Sequence, residues 1–225
     1  MFLVGVAGLA GCATNPPVAI DREAMARVKR VAVPTVAFPG SPDIAVTNTA
    51  SQHFGLIGAV AGAVVRNNRI EAIKTMLASQ RFDAQAQFDL ALSERLVARN
   101  LAIVRETASP VRRNFLETYR QGADRDAVLD VVVLAYGFLA HDDRDTSPYR
   151  PTVLVRARLV DARDRSVMMQ DAVTINGVEG TVGAADPGQA TFSSFSQMEA
   201  RPDLTVASLR AALTAAADGV VRRLG

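Results

Sequence analysis

The chain has 225 residues, 49% of them hydrophobic and 21% charged, a balance that supports a packed core and excludes wholesale disorder. Its formal charge of +2 is too small for a whole-surface field that would recruit nucleic acid. A single cysteine excludes an internal disulfide and a cysteine-built zinc site, and the absence of tryptophan makes stacking platforms sparse.

Met1 to Gly11 carries no charged side chain and is almost wholly apolar or Gly. Such a run is too short to cross a bilayer as a helix, which takes about 20 residues, and has the length of a signal-peptide apolar region. It ends in Leu9-Ala10-Gly11-Cys12, which resembles the lipobox of bacterial lipoproteins. Ala10 and Gly11 are small enough for a peptidase to approach the bond. The resemblance implies that the Cys12 thiol receives a diacylglyceryl group and that cleavage leaves Cys12 as the acylated first residue. Each buried methylene then contributes about 0.8 kcal/mol, and several acyl chains hold firmly where one is marginal. No Lys or Arg precedes the apolar run, which departs from the usual signal. Ala13 rather than Asp follows the cysteine, which in enteric-type sorting implies the outer membrane. Residues 12–26, with Asn15-Pro16-Pro17 near their start, read as a tether.

Beyond it, Val28 to Pro34 is a β-rich run stopped by Pro34, Pro39 and Pro42, and Gly40 to Gln52 reads as an irregular loop. Phe54 to Val65 is all apolar or Gly and continues into Ile70, Ile73 and Leu77 at helical spacing. Phe82, Phe88, Leu92 and Leu96 mark a second helix ending at Asn100, followed by a short strand, Leu101 to Val104. Phe115 to Arg120 suggests a helical turn closed at Gly122. The unbroken run Val131 to Ala135 fits a central strand covered on both faces. Val153, Val155, Ala157 and Leu159 alternate with Leu154, Arg156, Arg158 and Val160, and Val167 to Ile175 returns, so 152–175 reads as a hairpin. Residues 176–202 show no period and read as a long functional or mobile loop. A terminal amphipathic helix carries Val206, Leu209, Leu213, Ala216 and Val220, with Thr205 as its N-cap. The expected architecture is α/β (α+β): one mixed sheet of about five strands flanked by helices in a single domain over 27–225.

The hairpin run Val155-Arg156-Ala157-Arg158-Leu159-Val160-Asp161-Ala162-Arg163, after a buried strand and before a return strand, resembles a segment of periplasmic α/β lipoproteins. These include the curli-secretion lipoprotein, the penicillin-binding-protein activator lipoproteins and the amino-terminal domain of TolB. The likeness covers most of 27–225 in element order but only about ten residues as motif, and it implies binding and assembly rather than catalysis.

Candidate chemistry is thin. Gly55, Gly58 and Gly62, with Ala59 and Ala63, put small residues on one helical face, which suits close helix pairing in an oligomer, membrane contact, or tight packing on the chain's own sheet. His141, Asp142, Asp143 and Asp145 could offer metal ligands, but only His53 could add an imidazole and no turn glycine is present. No Gly-x-Ser-x-Gly elbow or phosphate-cradling Gly-rich loop with Lys-Ser/Thr occurs, and Ser193-Ser194 has no histidine beside it. Arg156 and Arg158 share a strand face and could meet a lipid headgroup, an acidic partner or solvent. Phe192 and Phe195 are candidate partner anchors that could equally fold back on the core.

The expected protein is therefore lipid-anchored through Cys12 on the periplasmic face of the outer membrane. No catalytic residue, metal or cofactor is assigned, and the expected partners are the membrane, an envelope protein and a further copy of itself, with no nucleic acid. Its role is binding in an envelope assembly, export or regulatory complex, where confinement raises effective concentration. Other readings are a self-assembling ring or pore component of an outer-membrane secretion system, a metal-dependent hydrolase using His141 and Asp143, and a carrier of a small apolar ligand.

Overall fold

A long apolar run without alternation needs cover on both faces, and the architecture is organised around one such strand. The computed structural model describes residues 16–48, 55–142, 144, 146–176, 184–185 and 191–225. Its elements in chain order are α1 (Arg22–Arg27), β1 (Arg30–Pro34), β2 (Asp43–Asn48), α2 (Gly55–Ser79), α3 (Ala84–Ala98), β3 (Ala102–Glu106), β4 (Ala127–Asp142), β5 (Tyr149–Asp161), β6 (Val167–Ile175), β7 (Ala184–Ala185), α4 (Phe195–Ala200) and α5 (Pro202–Arg222).

The expected mixed α/β sheet is present. It has seven strands, in the order β3-β1-β4-β5-β6-β7, with β2 also on β4. β1 runs parallel to β3 and β4, while β4, β5 and β6 form an antiparallel meander. β4 is long enough to take two partners along one edge: β1 at Ala127–Val128 and β2 at Gly137–Asp142, with Ala37 bridging Val132 between them. That arrangement corrects the expectation of a loop over 40–52 at Asp43–Asn48, while 49–52 lie outside the described residues. The prolines interrupt the edge strand, and β4 supplies hydrogen-bond partners on either side of the break. At Gly137 the backbone has φ +144°, and a Cβ would overlap the Asp43 backbone, so only glycine allows β2 to close on β4.

Ala127 to Val133 is buried on both sides. Toward one face lie Leu129, Val131 and Val133 with Phe88, Leu92, Leu96, Leu209, Leu213 and Val220 in the principal core. Toward the other, Val132 packs with Ala37 and Phe115 in a small separate cluster. α5 is long and apolar enough to cross a membrane by length and composition, but its apolar positions are buried on β5, β6 and α3, as expected of a core helix. Gly219 brings it against Val173, into which a Cβ would press.

Several local expectations change. Residues 16–26, expected as tether, are largely tied to the body: Val18 pairs with Gln170 on the outer edge of β6, Asp21 N–H donates to the Met168 carbonyl, and Asp21 caps α1. The 115–120 turn does not form; the segment is irregular and is pinned through Leu116 and Tyr119 to Asp130. α5 starts at Pro202 rather than after a Thr205 cap, and the buried Thr205 hydroxyl donates to the Met198 carbonyl, joining α4 to α5. The loop expected over 176–202 contains β7 and α4.

Gly137→Ala is expected to remove at least about 2 kcal/mol of stability through strain and overlap at this one site. Urea unfolding would show the loss, and hydrogen exchange would place the earliest exposure in β2.

Candidate functional site

On the sheet's second face the connection from β3 to β4, residues 107–126, carries no helix or strand. A crossover of this length between parallel strands is usually a helix. Here its backbone is engaged by one buried side chain instead. Asp130 on β4 is 0% exposed. Its Oδ2 accepts from the Leu116 N–H at 2.7 Å and from the Tyr119 hydroxyl at 3.1 Å, and its Oδ1 lies 2.7 Å from Arg112 Nη2. Arg112 in turn donates to the carbonyls of Asn114 and Thr35. A buried carboxylate must be compensated, and these contacts pin 112–119 to the strand as an irregular strap. Phe115 completes the cover, with the Arg156 and Arg158 guanidiniums 4.8 and 4.3 Å from its ring centroid.

Between this crossover and the strands lies a cleft of about 840 Å³, touching Pro34 and Glu106 at the C-terminal ends of β1 and β3. Four arginines line it, Arg105, Arg120, Arg125 and Arg165, against two carboxylates, Glu106 and Asp124. Thr107, Ser109, Thr118 and Tyr119 add hydroxyls. Both carboxylates are committed to Arg125, whose side chain is 1% exposed: Asp124 grips it through Nε at 2.9 Å and Nη2 at 2.7 Å, and Glu106 meets Nη1. The hydrogen bond from Arg125 holds the Asp124 carboxyl below its ordinary value. Arg105 is bound to Ser93. Among the described residues Arg120 and Arg165 have no carboxylate at ion-pair distance. Burial, with Asp130 adding to it, pushes the Tyr119 phenol up to about 12, and Arg158 beside it pulls the other way. The arrangement can bind an anion. It presents hydroxyls that can hydrogen-bond such a ligand.

The residues singled out in the sequence do not meet at this cleft. Leu9, Ala10, Gly11 and Cys12 lie outside the described residues, as do His53, Asp143 and Asp145. Gly55, Gly58 and Gly62 sit in the N-terminal half of α2, beyond which Val64 and Val65 are 53% and 41% exposed. Phe192 and Phe195 are not open partner anchors: they are 1% and 5% exposed. Phe192 exchanges backbone hydrogen bonds with Tyr149 and packs edge-on against Phe138, and Phe195 packs on Tyr149. His141 lies at the far end of β4 from Arg125, and no group of three His, Cys, Asp or Glu suited to a metal occurs among the described residues. Sequence reasoning missed Asp130 as an anchor. The signal was a carboxylate inside an apolar strand, which demands a buried partner.

No protein-family model matches the chain, and no curated protein sequence matches it. Among solved structures it is similar to a point variant of the PelC dodecamer from Paraburkholderia phytofirmans, at 14% identity, 93% coverage of both chains and a TM-score of 0.35. It is also similar to lipoprotein GNA1162 from Neisseria meningitidis, at 16% identity over 67% of this chain and 88% of that one, TM-score 0.29. A third is the hypothetical protein CT253 from Chlamydia trachomatis, at 15% identity over 86% and 98%, TM-score 0.35. Likeness this remote transfers no activity, partner or assembly to this chain.

Asp130→Ala leaves the Arg112 charge buried without its counter-charge, and a loss of about 3–5 kcal/mol is expected in urea unfolding. Asp130→Leu combined with Arg112→Met should recover most of it, because the pair is then removed whole. The phenols of Tyr119 and Tyr136 are both pushed up to about 12 by burial. A raised value means the folded state keeps its proton longer than the unfolded chain, so their contribution is intact below about pH 10 and lost as pH rises through 12. Tyr119→Phe should delete one late-titrating phenol in tyrosinate absorbance and flatten the loss of stability across that window.

Proposed function

We propose that the chain is a lipid-anchored, non-catalytic protein on the periplasmic face of the outer membrane that acts by binding within a cell-envelope complex. The observation that carries this reading is the apolar run closed by Leu9-Ala10-Gly11-Cys12, two small residues before a thiol. The start of the folded body supports it. Val18, six residues past Cys12, already pairs with Gln170, so the described body begins close behind the proposed anchor. Ala13 after the cysteine supports outer-membrane rather than inner-membrane residence.

A second reading, self-association, is favoured by α2. Val64 and Val65 are exposed at the end of its Gly/Ala-rich half, as in a helix that pairs with another through small residues.

Cells expressing the full chain and fed a clickable palmitate analogue should label the protein, and mass spectrometry should find an acylated N-terminal Cys12. Cys12→Ala should abolish the label and release the domain from the membrane fraction. An intact Met1 with a free thiol on the wild-type protein would overturn the anchor. Light scattering on the detergent-extracted protein tests the second reading, and a strict monomer removes it.

A further inference from the structure

We propose that the cleft between β1, β3 and the 107–126 crossover is a binding site for a small oxyanion-bearing ligand, a phosphate or carboxylate carried on a hydroxylated body, with Arg120 and Arg165 as its ligand-facing cations. This goes beyond the anchoring reading and does not depend on it. Four features converge. The cleft opens at the C-terminal ends of two adjacent parallel strands, at Pro34 and Glu106, where sheets of this kind place ligands. The crossover, pinned to Asp130, forms one wall of the cleft and contributes no helix to fill it. Within the lining, both carboxylates are already bound to Arg125, so the surplus positive charge resides on Arg105, Arg120 and Arg165, and of these Arg105 is turned to the Ser93 hydroxyl. A guanidinium without a carboxylate partner presents a planar fork that matches phosphate or carboxylate, and Thr107, Ser109 and Thr118 can hydrogen-bond the hydroxyls of the ligand's body.

The fourth feature is conformational. Arg165 closes the β5–β6 turn with φ +65°, a left-handed conformation that glycine or asparagine adopts far more readily. Gln121 Nε2 donates to the Arg163 carbonyl at 2.7 Å and so ties this turn to the end of the crossover. An arginine in a glycine conformation, held at the rim of a cationic cleft, is strain retained where the side chain has a use.

The test titrates the full chain in detergent with inorganic phosphate, glucose 6-phosphate and glucuronate, with glucose as the neutral control. Saturable binding of at least one anionic probe and none of glucose is expected. Arg120→Gln and Arg165→Gly should each weaken binding by about tenfold or more, the loss of one charge-assisted hydrogen bond. Arg165→Gly should also keep or raise Tm, separating a ligand role from a structural one, and Arg165→Asn serves the same purpose if the glycine variant fails to fold. The charge-matched double variant Arg27→Gln/Arg113→Gln, on exposed residues outside the cleft, should bind as the wild type does.

A second arm separates a free solute from a lipid headgroup. Cys12→Ala protein is floated with phosphatidylglycerol or phosphatidylcholine vesicles. Flotation with the anionic vesicles alone, lost in Arg120→Gln/Arg165→Gly and competed by glucose 6-phosphate, assigns the site to headgroups. Solute binding without flotation assigns it to a free phosphorylated or acidic molecule. No saturable binding in either arm, or binding undiminished in that double variant, overturns the site.

Discussion

The wholly buried carboxylate of Asp130 is the constraint on which the second face of the sheet depends. A buried carboxylate inside a strand is tolerated only when charge and hydrogen bonds come to it, and here all of them come from one stretch of chain. Arg112, the Leu116 N–H and the Tyr119 hydroxyl converge on it. In place of the expected turn over 115–120 the chain runs as an irregular strap with bends at Arg113, Asn114 and Glu117, pinned to the sheet at Asp130. The apolar contribution is small by comparison, since Phe115 reaches only Ala37, Val132 and the partly buried Leu134.

The two faces of the sheet are therefore built on different physics. One is a conventional core of helices α3 and α5 on strands, whose stability comes from apolar burial and close packing. The other is held by ion pairs and by guanidiniums stacked on one ring, and such a layer tolerates a solvent-filled cleft that a packed helix would fill. A polar layer of this kind is directional, because removing any one partner leaves the others unsatisfied. Arg125 shows the same logic at the far wall. It takes both carboxylates of the lining to itself and leaves the cleft's remaining charge uniformly positive.

How much of this was legible in the sequence follows from the range of the interactions. α2, α3 and the β5–β6 hairpin follow from spacing within a few residues, and β4 from an unbroken apolar run; each is present. β2 was not legible because its polar, proline-flanked residues become a strand only against the distant second half of β4. The strap was not legible because its anchor, Asp130, lies eleven to eighteen residues downstream of its partners, beyond the reach of a local pattern. Phe192 and Phe195 sit in a stretch without period, yet bury themselves through Tyr149 and Phe138, which no local pattern encodes. The cleft gathers residues from 104–109, 116–125 and the turn at Arg165, so no single motif could have announced it.

The amino-terminal end of the body and the strap are joined by one row of side chains across the second face. The Pro16 carbonyl accepts from Gln170 Nε2, Gln170 Oε1 accepts from Arg158 Nε at 2.7 Å, and Arg158 lies both over Phe115 and beside the Tyr119 phenol that binds Asp130. Register places Asp130, Arg158 and Gln170 directly opposite one another on β4, β5 and β6. With Cys12 anchored as proposed, the four peptide units between it and Pro16 span roughly 14 Å at full extension. That reach sets the proposed anchor close to the first hydrogen bond of the row, at Pro16, where the strand register and not the chain's local sequence decides which side chains meet.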